Sequence, residues 1–457
     1  MKPGRMGLMA SFLWMTATAL SAETTRGFTG RWEITTDYPG GSFTAGLELS
    51  SVGQGYEGHS AYLVPDDYWY QYAGSADRDR LRLKILAPDG KSAIGELTLT
   101  LRGDKLMGNG VLHDVPISVS AHRPLTPPAG SPRTHDFKPQ LFYRAFSGAL
   151  PPALHIFPGD TVRTQTVDAA GGGVNKEQHT LGGNPQTGPF YIEGAMVGDT
   201  IVVHFNKIRL NRDTAFQVRS GLNPRALPSG YPQSRMADTS DVWNLDREHL
   251  TATPANPSSK LKGVVIKLTP MLGCVSVAPF WNQTIATSDS GPFGGNLDYN
   301  QVREGTTLYL PVYRAGALLS IGDGHAVQGD GEITGQGLET SMDVEFTVGL
   351  IRDQLLDQPW AENAESIMVS GVGGSLEAAL QTATAGLSNW LKSYYDLDAS
   401  EVATVLANAI HYDIAEIVDP QVHVVARIPK DALAQLPKPP GPKSMFCQAS
   451  WGCVLTR

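Results

Sequence analysis

The chain has 457 residues and a formal net charge of −9, from 36 Lys and Arg against 45 Asp and Glu. This length gives two or three domains as a starting expectation and enough material for a substantial core. The absence of any dense basic cluster argues against a nucleic-acid partner, and 49 Gly with 31 Pro point to many turns between short strands.

In chain order, Lys2 and Arg5 precede the apolar run Met6–Leu20, and Leu20-Ser21-Ala22 follows before Glu23. A basic start, an apolar stretch and a small-residue site predict a signal peptide over residues 1–22. The run is short for a bilayer span, so the expectation is an exported protein, periplasmic or secreted, with no stable membrane span after cleavage. Residues 23–124 read as a small antiparallel β domain, a barrel or sandwich module. Alternating segments such as Arg31–Thr36, Leu81–Leu86, Glu96–Leu101 and Ile117–Ala121 are separated by Gly, Asp and Pro turns. Tyr68, Trp69, Tyr70 and Tyr72 offer either a binding surface or core with one exposed edge. Pro124, Pro127, Pro128 and Pro132 mark residues 125–134 as a linker.

Residues 135–457 form the larger region. Thr200–Ile208, Val264–Leu268, Thr307–Val312, Asp343–Val348 and Val422–Ile428 are strand-like. Arg212–Ser259 is a long Pro/Ser/Asn-rich excursion, read as a lid or as a plain surface excursion. Leu376, Leu380, Ala383, Leu387, Trp390 and Leu391 recur at helical spacing, as do Val402, Val405, Leu406, Ala409 and Ile410. Asp398 followed by Glu401 is a capping-box pattern for the second helix. The predicted class is mostly β (α+β), with two late helices. Three cysteines make no disulfide framework. Cys447 and Cys453 are placed to pair, and Cys274 reads as a small buried hydrophobe.

The chemistry concentrates in Gly316–Glu332, GALLSIGDGHAVQGDGE. Asp323 and His325 are two apart, and so are Asp330 and Glu332; on extended backbone each pair shares a face. The bland alternative is a solvated glycine turn. The apolar run Ala317–Ile321 reads as a buried strand leading into this segment. Asn296 and Asp298 repeat the two-residue spacing after Gly294-Gly295, with a capped turn as their alternative. Glu193 is a carboxylate in an apolar strand, suited to proton transfer if buried or to a salt bridge with an arginine. His179 is a weaker ligand candidate, and His204 and His411 read as structural or solvated.

Several blocks then resemble one family. His179–Gly198 (HTLGGNPQTGPFYIEGAMVG), Gly294–Asp298 (GGNLD), Gly305–Val312 (GTTLYLPV), Gly316–Glu332 and Ala415-Glu416-Ile417-Val418-Asp419 occur in the order of the acetamidase/formamidase family. The resemblance spans roughly residues 140–430 and implies a β-sandwich-rich domain that hydrolyses small linear amides to carboxylic acid and ammonia. It implies zinc as the catalytic ion, with calcium as an alternative structural ion, and a homo-oligomer. The signal peptide and first β domain are additions to that pattern, and no G-x-S-x-G or H-E-x-x-H element is present.

On this reading Asp323 and His325 are the first metal ligands, and Glu332 is a third ligand or the general base. Asp330 is a proton-transfer group or the acceptor for the His325 ring N–H. Asp298 is a ligand or a ligand orienter, Asn296 and Asn184 bind substrate, and Glu193 protonates the leaving group. Competing readings are an exported amidase for larger peptidic or cell-wall amides, with the first domain as a capture module, and a non-catalytic metal- or ligand-binding protein.

Overall fold

The structure is a computed structural model that describes residues 27–61, 69–87, 89–218, 221–232, 240–258, 260–437 and 454–455. The expected signal peptide, Tyr68, Cys447 and Cys453 lie outside the described residues.

Eight antiparallel strands from Gly30–Tyr38 to Val115–His122 pair in sequence order, and the first closes on the last through Ile34 opposite Ala121. Two-residue alternation sorts the side chains: in Arg80–Leu86, Leu81, Leu83 and Ile85 point inward while Arg80, Arg82 and Lys84 face out. Trp32, Leu47, Leu49, Leu81, Leu99 and Leu106 are fully buried and fill the interior. An eight-stranded barrel is just wide enough for this. Tyr70 and Tyr72 belong to that core, with the Tyr72 hydroxyl 2.9 Å from Ser60 Oγ.

The larger region stacks two sheets. The six-stranded sheet runs Leu154–Ile156, Gln186–Ile192, Leu319–His325, Met271–Ser276, Gly294–Asn296, Ser290–Gly291. The second has Thr307–Pro311, Thr200–Leu210 and Met342–Ile351 at its centre, and Val422–Pro429 and His411–Glu416 at one end. The inner faces interdigitate through Ile192, Ile321, Val275, Val203, Leu310 and Phe346, and Phe190 meets Phe346 at 5.3 Å between ring centroids. Two helices, Leu376–Tyr395 and Ala399–Ala409, cover the outer face of the second sheet. The first lays Ala379, Ala383, Leu387, Trp390 and Leu391 on the sheet, whereas Leu376 and Leu380, expected on the same stripe, are exposed. The second carries the expected capping box: Asp398 Oδ1 accepts from the Ser400 and Glu401 amides at 2.8 Å, and Glu401 Oε2 accepts from the Asp398 amide. Among the described residues no helix is long and apolar enough to cross a membrane.

The excursion after Arg212 folds as a four-stranded sheet of Thr214–Val218, Ser240–Asp246, Thr251–Pro254 and Ile266–Lys267. The last of these is much shorter than the expected strand Val264–Leu268.

Barrel and sandwich have separate apolar cores and meet through charge. Arg31, on the outer face of the first barrel strand, donates to both carboxylate oxygens of Asp199 at 2.7 Å and to Asp353 Oδ1 at 3.0 Å. Asp199 and the Arg31 side chain are both buried. Removing one partner of such a pair strands the other charge out of water, at a cost of about 3–5 kcal/mol. Arg31→Ala is therefore expected to lower the melting temperature and to speed proteolytic cleavage in the 125–133 linker. Adding Asp199→Asn should restore part of the loss. An unchanged melting curve and cleavage rate would show that the pair does not hold the barrel.

Candidate metal centre

Asp323 and His325 lie on the strand Leu319–His325 itself, so the strand carries the site instead of delivering a loop to it. This strand is central to the six-stranded sheet. Gln186, Gly322, Cys274 and Asn296 form one row across four strands, and the next residue, Asp323, sits opposite Gly273.

Two groups of ligating atoms share His325. Asp298, Asp323 and His325 have donor atoms within 4.8 Å of one another, and so do His325, Glu332 and Glu339. His325 Nε2 lies 3.4 Å from Asp323 Oδ1 and 3.2 Å from Glu339 Oε1, and its Nδ1 is 4.0 Å from Asp298 Oδ1. All five residues are buried. Nδ1 donates to Gln328 Oε1 at 2.8 Å, while Gln328 Nε2 donates to the carbonyls of Asp298 and Ala415. That contact assigns the proton on Nδ1 and leaves Nε2 facing the carboxylates, the nitrogen through which a metal would bind.

Four carboxylates around one imidazole set the electrostatics. Burial pushes Asp298 well above the usual carboxylate range, and neighbouring Glu332 and Asp323 push it further. Glu332 and Glu339 are raised for the same reason, partly opposed by His325. Burial alone would depress His325, but Glu339 and Asp323 override it and hold the ring well above its ordinary value. Asp298 Oδ1 and Glu339 Oε2 are buried without a hydrogen-bond partner. A side chain at Gly273 would fall against Asp298 Oδ1 and 2.6 Å from Asp323 Oδ2, so glycine keeps open the space between these carboxylates. Unpartnered buried oxygens, a glycine-kept gap and an excess of negative charge fit a divalent cation.

Around this centre Asn184 Nδ2 donates to Asp323 Oδ2 (2.9 Å) and Asn296 Oδ1 (2.8 Å), and Asn296 Nδ2 donates to Asp298 and Asp419 (both 2.5 Å). Expected to bind substrate, both amides spend their donors on the cluster and orient its carboxylates. The Cys274 thiol donates to Asn296 Oδ1 at 2.7 Å and is pushed up by burial and by Asp323, so it stays protonated. Asn184, Asp298, Asp323 and Glu332 all have left-handed backbone, with φ of 59°, 40°, 57° and 44°. Such strain concentrates where geometry is imposed by function.

Other expected residues lie elsewhere. Asp330 is exposed and accepts from Asn300 Nδ2 at 2.7 Å; Gln328 takes the role expected of it at His325. The chain turns at Gly331, with φ 81°, so Asp330 and Glu332 are not on extended backbone and do not share a face. Glu193 follows the strand that begins at Gln186, about 20 Å from the site at roughly 3.3 Å per residue. It faces the barrel side near Glu33 and binds His155 Nδ1 at 2.6 Å, instead of an arginine. His179 is exposed and paired with Glu177.

Three acidic residues were not singled out by sequence. Glu339 is placed by backbone bonds to Phe216 of the excursion, with Arg212 anchoring its carbonyl and pairing with Asp168 at 2.6 Å. Glu416 and Asp419 belong to the quoted Ala415–Asp419 block, whose two carboxylates were the available signal. Burial raises Glu416 to about 8, helped by Asp419. Burial also raises Asp419 to about 7, against the pull of the Asn296 N–H. Gly273→Ala is expected to leave the fold intact but lose the bound divalent ion, measured by elemental analysis of the purified protein. Full metal occupancy in that variant would place the ion elsewhere.

Comparison with known proteins bears on this centre. Residues 240–433 match the acetamidase/formamidase family. A formamidase from Methylophilus methylotrophus is 26% identical over 258 residues, which cover 45% of this chain and 62% of that protein. The chain thus matches less than two thirds of that relative's length. The solved acetamidase from Yersinia enterocolitica superposes with a TM-score of 0.59 at 29% identity, over 67% of this chain and 95% of that one. A predicted acetamidase/formamidase from Thermoanaerobacter tengcongensis gives a TM-score of 0.58 at 26% identity, over 66% of this chain and 98% of that one. Sequence match and shared architecture agree: the chain is similar to the acetamidase/formamidase family over residues 240–433, and about two thirds of it shares the fold of solved acetamidases.

Proposed function

We propose that the protein hydrolyses the C–N bond of small linear amides, releasing a carboxylic acid and ammonia, at a divalent-metal centre built around His325. The observation that carries this reading is the convergence of His325, Asp298, Asp323, Glu332 and Glu339 in one buried cluster with unpartnered carboxylate oxygens. The formamidase and acetamidases that the chain resembles support the choice of substrate.

Asp298, Asp323 and His325, with Glu339, would hold the ion and leave Glu332 beside it as the base, and zinc suits a histidine with carboxylates. When bound, zinc supplies a Lewis acid for the amide carbonyl and makes water acidic enough to ionise near neutral pH. The chain's own residues do the rest. Gln328 keeps the His325 tautomer, while Asn184 and Asn296 keep Asp323 and Asp298 aimed. Glu332 takes a proton from the attacking water and returns it to the departing nitrogen as the C–N bond breaks. The buried setting keeps competing water from these charges.

The test is ammonia release from formamide, acetamide and propionamide by the purified protein, with chelation and zinc add-back. Chelation should abolish release and zinc should restore it. His325→Ala should lose metal and turnover together, and Gln328→Ala should cost about 10–100-fold in metal affinity or activity. A His325→Ala protein that keeps both stoichiometric metal and turnover would overturn the assignment.

A further inference from the structure

The excursion runs beside the site. The Thr340 hydroxyl donates to the Thr214 carbonyl, Phe216 and Glu339 exchange backbone hydrogen bonds, and the Val218 amide donates to Gln336 Oε1. Further along, the Asn223 amide donates to the Ile333 carbonyl at 2.7 Å, and Asn223 Oδ1 caps a short 3-10 turn at Pro224–Ala226 by accepting from the Arg225 amide. That turn places Arg225 over another part of the site: its Nη1 donates to the carbonyls of Ile417 (3.1 Å) and Asp419 (2.6 Å).

The turn 416–419 is held from three directions. Glu416 Oε2 accepts from the Val418 and Asp419 amides at 2.8 and 3.1 Å, and the Ile417 amide donates to the Gly331 carbonyl. Arg225 supplies the third hold through the carbonyls of Ile417 and Asp419. The Asp419 side chain extends inward to Asn296 Nδ2, which also holds Asp298. Asp419 is only half-buried, unlike the five residues of the cluster.

We propose that Arg225 is a positioning residue: it clamps the excursion to the turn 416–419 and so sets Asp419 against the metal centre. Arg225 touches no reacting atom in this reading; it acts through the peptide planes that carry Asp419. Its kinetic consequence rests on the amide hydrolysis proposed above, whereas its structural consequence does not.

The experiment compares wild type, Arg225→Ala, Arg225→Lys, Asp419→Asn and the Arg225→Ala/Asp419→Asn double variant, all as full-length zinc-loaded protein. Hydrogen exchange at the Val418 and Asp419 amides should rise in Arg225→Ala and stay unchanged in the strand Leu319–His325. With formamide as substrate, kcat should fall about 10–100-fold, the range seen when a supporting partner of a metal site is lost, while KM changes little. Arg225→Lys, which can still reach one carbonyl, should recover part of both effects. In the Asp419→Asn background, Arg225→Ala should have no further effect on kcat, because residues acting through one another are not additive.

Unchanged exchange at 418 and 419 in Arg225→Ala would overturn the clamp. Kinetic losses that multiply in the double variant would overturn the route through Asp419. If wild type releases no ammonia from any small amide while exchange responds as expected, the amidase reading fails and the clamp stands.

Discussion

Like charges out of water are the constraint around which the larger region is arranged. Two unit charges about 4 Å apart interact by roughly 4 kcal/mol at the effective dielectric of a protein, and Asp298, Asp323, Glu332 and Glu339 all surround one imidazole. No chain would keep that arrangement for stability alone. What holds it is a rigid frame: a central strand with neighbours on both sides, a glycine that leaves room between two carboxylates, and a pair of linked amides, Asn184 on Asp323 and Asn296 on Asp298 and Asp419. A bound cation would supply the opposing charge that this cluster lacks. The acids whose protonation would otherwise relieve it are the groups best placed to move protons.

The sequence made part of this legible, and the boundary follows from range. Asp323 and His325 were read as neighbours on extended backbone, and they do lie together at the end of one strand, although Asp323 itself is left-handed and, of the two flanking strands, only Met271–Ser276 pairs alongside them. The same two-residue argument failed for Asp330 and Glu332, because Gly331 turns the chain and sends one side chain to solvent. Glu339 has no spacing signal: the chain leaves the strand at His325 and returns fourteen residues later to pair with it directly, Glu339 opposite His325, with Phe216 of the excursion also pairing with Glu339. The partner of the His325 ring was expected to be an acid at 330, yet the residue three along from His325 is the one whose length and direction fit. The helices were readable from their apolar period and capping box, apart from Leu376 and Leu380, which lie at the helix start beyond the sheet's cover. The excursion was not, since its short strands pair mostly with one another and its first strand with the site loop.

The barrel is a different kind of structure joined to this one. Among the described residues its interior is packed with Trp32, leucines and isoleucines, which fill the space a ligand would need. Its bond to the sandwich is ionic and local, and Asp199 is already supported by the Met196 and Asp353 amides on its own side. Two units with separate cores and a charged seam can be altered almost independently.

The left-handed backbone at Asn184, Asp298, Asp323 and Glu332 has a consequence for how this protein can change. Glu332 is the position where glycine would rest more comfortably, by roughly 1–2 kcal/mol, while the Asn and Asp positions carry a smaller preference of the same sign. A population drifting under selection for thermal endurance alone would therefore find gains inside this acidic cluster, and would dismantle it one side chain at a time. Persistence of all four acid and amide side chains at such places is a running cost borne by the rest of the fold. The large apolar core between the two sheets is what leaves room for it.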